Sequence, residues 1–330
     1  MRVGAIDCGT NSIRLLITEA ADDAVGASPA EIELNELVRT KEMVRLGQGV
    51  DATGWLAQEA LERTFAAVDG FARLLDEHAV DSVRFVATSA TRDAGNRHVF
   101  VDGIRSRLGV APEVISGEEE AALSFAGATM VAAPESEDDR TLVVDLGGGS
   151  TELVLGSSAG ILASRSLNIG CVRMTERHLG SNPPTEAQQR AVLADVDRAL
   201  DSAALTVPLG QTRKIVGVAG TVTTITALAL GLEDYDEQRI NGAELPISDL
   251  ERTCRELTAM TREQRDALGV MHPGRGDVIG GGALVWRRVL QRIAEATDGR
   301  VSTATTSEHD ILDGIALSRL STIPQKAPLA

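Results

Sequence analysis

Aromatic residues make up only 2% of this 330-residue chain, so aliphatic side chains must build its core. At 43% hydrophobic it has enough of them, and its length allows one large or two medium domains. No apolar run reaches the roughly 18 residues of a membrane span, so no membrane partner is expected. The N-terminus, "MRVGAIDCGTNS", carries an aspartate at position 7, where a secretory leader would keep an unbroken apolar stretch. Cysteine is scarce. Cys8, Cys171 and Cys254 lie far apart and form no CxxC pair, which argues against structural zinc and a disulfide framework and fits a reducing cytoplasm. Positive charge is also short. The formal net charge is −16, so nucleic acid is not an expected partner, because counterion release needs basic patches. A polyanionic substrate is compatible if a few cations are focused in a cleft. Lysine occurs only at Lys41, Lys214 and Lys326, and the other 29 cations are arginines. Arginine's planar fork suits phosphate, although genome base composition produces the same bias.

Strands alternate with helices along the chain, which predicts an α/β architecture. Residues Val3 to Thr18 read as a hairpin. Helical periodicity follows near Ala57–Glu77, and "VRFVATSA" (Val83–Ala90) reads as a buried strand entering a loop. Ser116–Met130 reads as a helix. "VVDLGGGSTELVLG" (Val143–Gly156) is again strand, turn, strand, and Lys214–Leu230 is strand, turn, helix. Helices are predicted over Gly280–Thr297 and Ser307–Ser321, with a frayed tail "PQKAPLA". One internal repeat stands out. Sliding "AIDCGTNSIRLLI" onto "VVDLGGGSTELVL" puts Asp7 on Asp145, Gly9 on Gly147 and Ser12 on Ser150. Two copies of Asp-x-Gly-x-x-Ser, each between apolar strands, predict two similar domains.

The glycine turns carry the first chemical signal. Glycine lets a ligand approach the backbone closely, and successive backbone N–H groups in such a turn form an anion nest. Thr10, Asn11 and Ser12 in one copy, and Gly147, Gly148, Gly149, Ser150 and Thr151 in the other, are therefore candidate phosphate-binding residues. Asp145 and Glu152 are candidate ligands of a hard cation that screens the phosphate charge, with Asp7 the matching acid of the first copy. An ordinary hairpin with its carboxylates in water is the competing reading of either copy alone. Two copies together favour phosphate and Mg²⁺.

The run "SGEEEA" supplies further acids. Ser116 and Glu119 have the spacing of a capping box. Glu118 suits the positive helix end, and Glu120 is left over. "TSATRDAGN" holds Arg92, open between phosphate binding and an ion pair with Asp93 or another acid, and Asn96, a residue suited to capping or bridging a loop. Arg14 stands where Glu152 stands in the other copy, and phosphate contact and packing are equally open for it. "VGVAGTVTT" places Gly220 and Thr221 at a strand-to-helix turn. Cys171 reads as a packed thiol, and none of the five histidines falls in a ligand pattern.

In these residues the chain resembles the two phosphate motifs of the acetate and sugar kinase, Hsp70 and actin superfamily. Within it, "AIDCGTNSIRLLI", "FVATSATRDAGN", "VISGEEEA", "VVDLGGGSTELV", "SLNIGCVRMTE" and "VGVAGTVTTITALAL", in that order, resemble the family of exopolyphosphatases and guanosine pentaphosphate phosphohydrolases. The resemblance implies two ribonuclease-H-like domains, residues 1–124 and 125–330, facing a cleft, with the last helix (307–321) packing back on the first domain. It implies Glu120 as general base and Arg92 on the substrate phosphate. The Gly220–Thr221 turn corresponds to the region where the superfamily's kinases hold adenosine, and here it would take a distal part of a polyphosphate or nothing. Arg275 and Asp277, in a stretch with more glycine than the family's usual run, receive no catalytic role. The expected activity is Mg²⁺-dependent release of terminal phosphate from polyphosphate, with pppGpp the alternative substrate and a cytoplasmic homodimer the expected form. Longer relatives continue into helical C-terminal domains, some of HD type, so short chains are the expected substrates. A small-molecule kinase, an ATP-driven chaperone or filament protein, and an alarmone sensor are the rival readings.

Overall fold

A computed structural model describes residues 1–21, 32 and 34–322. The chain divides into two compact units, Met1–Met130 with Ile311–Ala330, and Val131–Asp310. The division expected at 124/125 thus falls at 130/131, and the last helix belongs to the first unit. The tail expected to fray lies outside the described residues.

The first unit runs β1 (Arg2–Cys8), β2 (Ile13–Glu19), β3 (Asn35–Glu42), α1 (Val50–Thr53), α2 (Gln58–Glu77), β4 (Ser82–Ala87), α3 (Ser89–Asp93), α4 (Arg97–Leu108), β5 (Glu113–Val114) and α5 (Gly117–Ala128). Its sheet has the order β3-β2-β1-β4-β5. The first three strands pair antiparallel, and β1, β4 and β5 pair parallel. That is the ribonuclease-H-like arrangement the motifs led us to expect. Both faces are covered, which is why β1 and β2 read as nearly unbroken apolar runs. Ile6, Cys8, Leu15 and Phe85 pack with Phe71 of α2 and Phe100 and Ile104 of α4. Ala5, Leu16 and Val86, on the alternate positions, pack with Leu123 of α5 and with Ile311, Leu312 and Ile315. Those last residues belong to the chain's final helix.

The second unit runs β6 (Thr141–Leu146), β7 (Thr151–Ser157), β8 (Gly160–Leu167), α6 (Cys171–His178), α7 (Glu186–Ala204), β9 (Lys214–Val218), α8 (Gly220–Ala229), α9 (Glu237–Ile240), β10 (Glu244–Pro246), α10 (Ile247–Ala259), α11 (Arg262–Asp266), α12 (Ile279–Ala296) and β11 (Thr303–Thr306). Its sheet, β10-β11-β9-β6-β7-β8, repeats the first unit's order with β10 added at the edge. The chain then returns to the first unit as α13 (Ile311–Thr322). This helix starts four residues later than its apolar pattern suggests. The Ser307 hydroxyl donates to His309 O and accepts from His309 N, 2.8 and 3.1 Å away, and holds that stretch in a turn. Close approach of α13 to α5 needs Gly314, where an added Cβ would lie 1.9 Å from Leu123 O. No helix among the described residues is long and apolar enough to cross a membrane.

Candidate active site

Both glycine turns adopt the same geometry. Gly9 N donates to Ser12 O at 3.0 Å, and Gly147 N to Ser150 O at 3.0 Å. In each unit the turn's carbonyls are taken from one side. In the second unit Gly147 O accepts from Cys171 N (3.0 Å), Gly148 O from Val172 N (2.9 Å), and Gly149 O from the Arg173 Nε (2.7 Å). A planar trans peptide points its N–H opposite its C=O. The N–H groups of Gly148, Gly149 and Ser150 therefore point away from α6, as an anion nest requires. In the first unit Thr10 O accepts from Gly47 N and Asn11 O from Arg45 N, both at 2.8 Å. The N–H groups of Asn11 and Ser12 are aimed by the same logic.

Sequence reading missed the residues behind these turns. Gly170 lets α6 approach so closely that an added Cβ would sit 2.2 Å from Gly148 O and 2.5 Å from Gly149 N. Those are backbone atoms and cannot swing aside. Gly170→Ala is expected to displace the turn, cost about 1–3 kcal/mol of stability and lower the turnover rate at least tenfold, whereas Gly180→Ala, whose Cβ would meet only Gln188 Nε2 at 3.5 Å, should leave both unchanged. Melting curves and rates on the pair check this; equal rates would mean that the turn's shape is not needed. Thr151 departs from its expected role. Its hydroxyl donates to Ile169 O, so it braces the turn rather than offering its proton to a phosphate. In the first unit Thr10 Oγ1 lies 3.0 Å from Ser89 Oγ and ties the turn to the start of α3.

The acids differ between the copies. Asp145 pairs in register with Glu152, and Asp7 with Arg14. Arg14 puts Nε and Nη2 on Asp7 Oδ2, at 3.0 and 2.7 Å. The Arg14 guanidinium thus meets one oxygen of Asp7, the acid that matches Asp145. Asp145 and Glu152 are 6% and 1% exposed. Residues directly opposite in an antiparallel pair share one face, and like charges there repel. Two such carboxylates fit a divalent cation, and magnesium needs only one or two carboxylates when phosphate and water complete its shell. Among the described residues no group of three or more His, Cys, Asp or Glu side chains forms a metal cage.

Glu120 stands apart from its neighbours in the "EEE" run. It is 6% exposed, while Glu118 and Glu119 are exposed. The capping box is half formed. Ser116 accepts from Glu119 N, but the Glu119 carboxylate goes to Arg84 at 2.6 Å instead of back to the cap. Arg92 Nη1 donates to Glu120 Oε2 and to Ile115 O, each at 3.0 Å. Turn, Arg92 and Glu120 thus gather past the C-terminal ends of β1, β4 and β5, where parallel sheets bind ligands. Asn96 bridges a loop, exchanging bonds with Leu56 N and O.

In the second unit Gly220 begins α8 after Ala219, which holds φ 71, a conformation side chains seldom adopt. Arg275 Nη1 donates to Gly220 O at 2.6 Å, and its guanidinium fills the space where a Cβ of residue 220 would stand. Arg275, given no role from sequence, therefore holds this turn. Thr221 is buried beside it. Burial pushes the Cys171 thiol up, partly offset by Arg275, as suits a packed thiol. A cavity of about 760 Å³ is lined by Glu233, Asp234, Asp236 and Glu237 among others, acids that would repel a polyanion.

A family model for Ppx/GppA phosphatases matches residues 25–319. The chain is 51% identical over 322 residues to Exopolyphosphatase 2 of Mycobacterium tuberculosis, covering 96% of this chain and 98% of that one. The crystal structure of an exopolyphosphatase-like protein is 48% identical, with TM-score 0.89 over 97% of this chain and 98% of the other. That of an exopolyphosphatase from Cytophaga hutchinsonii is 28% identical, with TM-score 0.84 over 99% and 100%. With the family model over residues 25–319 and a 51% identical relative along nearly its whole length, this chain belongs to the Ppx/GppA phosphatase family.

Proposed function

We propose that this protein is an exopolyphosphatase, a phosphoanhydride hydrolase that releases the terminal phosphate of inorganic polyphosphate. The observation that carries the reading is the duplicated turn: each unit aims backbone N–H groups outward, and one turn stands beside two buried acids in register. The relative named Exopolyphosphatase 2 supports the choice of substrate. Phosphoryl transfer asks mainly for positioning and charge stabilisation. In the first unit the N–H groups of Asn11 and Ser12, and in the second those of Gly148, Gly149 and Ser150, are the groups suited to phosphate oxygens. Glu120 takes the proton of the attacking water, with one carboxylate oxygen fixed by Arg92. Asp145 and Glu152 would hold magnesium, which would supply positive charge to the phosphate oxygens. The Gly220–Thr221 turn is left for a distal part of the substrate.

Phosphate release from polyphosphate, pppGpp and ATP, measured side by side with magnesium and no acceptor, tests this. Polyphosphate should be turned over with the highest kcat/KM. Preference for pppGpp would move the chain to guanosine pentaphosphate hydrolysis. No release until an acceptor is added, with ADP as product, would make it a kinase.

Arg92 offers a second check. Lysine keeps the charge but loses the fork, so it cannot both hold Glu120 and meet a phosphate bidentately. Arg92→Lys is expected to raise KM for polyphosphate about tenfold, the scale of one charge-assisted bond. A KM equal to wild type would reduce Arg92 to an ion pair with Glu120.

A further inference from the structure

The two hairpins extend onto a third strand, and the rows they form differ in kind. In the first unit the row across β1, β2 and β3 is Asp7, Arg14, Lys41. In the second, across β6, β7 and β8, it is Asp145, Glu152, Ser166. The first row carries one acid and two bases, with Arg14 on Asp7 at 2.7 Å. The second carries two acids and ends in a hydroxyl. Ser166 Oγ donates to Glu152 Oε1 at 2.6 Å, the short distance of a charge-assisted bond.

That bond has a geometric consequence. The terminal torsion of a glutamate is broad and roughly two-fold, so an unanchored carboxylate samples many orientations. Glu152 is almost fully buried and fixed at its backbone by pairing on both sides, to Asp145 and to Ser166. The Ser166 proton fixes the remaining torsion by holding one oxygen, and so sets the plane of the carboxylate and the direction of its other oxygen. The hydroxyl's single proton is committed to this bond.

We infer that Ser166 is a positioning residue that sets the magnesium affinity of the Asp145–Glu152 pair by holding the Glu152 carboxylate in one orientation. The inference rests on the magnesium reading above. Hydrogen bonds to ligating carboxylates typically matter 10–100-fold in metal affinity. Calorimetric titration of the protein with magnesium chloride alone, on wild type, Glu152→Gln, Ser166→Ala and Ser166→Thr, tests it. Ser166→Ala should bind magnesium about 10–100-fold more weakly, and Ser166→Thr, which restores the hydroxyl, should return close to wild type. KM for polyphosphate at saturating magnesium should not move in Ser166→Ala. If Glu152→Gln loses magnesium while Ser166→Ala binds it as wild type does, the positioning role is wrong and the metal reading stands. If wild type and Glu152→Gln titrate alike, the metal reading fails and Ser166 falls with it. A Ser166→Ala protein with a lower melting temperature in EDTA and unchanged magnesium affinity would make the bond merely structural and also overturn the inference.

Discussion

Glu120→Gln is expected to lower kcat by about 10²–10⁴-fold, the usual contribution of a positioned general base. Glutamine keeps the shape of the side chain and still offers Arg92 Nη1 a carbonyl oxygen to donate to, so folding and substrate binding should be largely kept. What is lost is the basic oxygen that takes the proton from water. The neighbouring acids provide the control. Glu119 is exposed and ends on Arg84, whose guanidinium also meets Glu113 at 2.8 Å. Exposed pairs of this kind contribute roughly 0–1 kcal/mol, so Glu119→Gln should leave kcat near wild type. Steady-state rates and melting temperatures on both variants decide it. A dead Glu119→Gln beside a live Glu120→Gln would move the base one residue earlier, and two active variants would remove general-base catalysis by this helix.

Loss of either acid of the second hairpin is the other large effect. Asp145→Ala or Glu152→Ala should abolish the magnesium-dependent rate. The same variants should lose magnesium's effect on stability. A ligand that binds only the folded state stabilises it by about 2.7 kcal/mol at a hundred times its Kd, so wild type should melt higher in magnesium than in EDTA. Either variant should melt at one temperature in both. Undiminished turnover of both variants at sub-saturating magnesium would exclude this pair as the metal site.

Much of this was legible because the core is built from repeated, strongly patterned pieces. The hairpins around Asp7 and Asp145 match in sequence because both strands of each are apolar on both faces and the turn residues recur at one spacing. Helices α2 and α12 carry long periodic stripes. Strand β3, "NELVRTKE", shows no such pattern because it lies at a sheet edge and is half exposed; β8 is the equivalent edge of the second sheet. Strands β5, β10 and β11 are two to four residues long, too short for any period to declare itself.

At the candidate site, sequence supplied the groups and not their supports. Glu120 was separable from Glu119 by the capping spacing, although the Glu119 carboxylate in fact serves Arg84, a residue 35 positions away. Gly170 and Arg173 back a turn more than 20 residues earlier, and Arg275 reaches Gly220 across 55. Contacts of that range leave no local signature. The change from Arg14 to Glu152 at matching positions was visible in the sequence. Its consequence, an arginine beside the acid in one row and two acids side by side in the other, needed the strand register.

In the proposed hydrolysis water attacks the terminal phosphorus, breaking the bond from that atom to the bridging oxygen and leaving the chain one phosphate shorter. Hydrolysis of polyphosphate in ¹⁸O-labelled water, followed by mass spectrometry of both products, tests it most directly. One labelled oxygen per released orthophosphate, with none in the shortened chain, is the predicted result. Label in the shortened chain, or release of unlabelled phosphate, would contradict it.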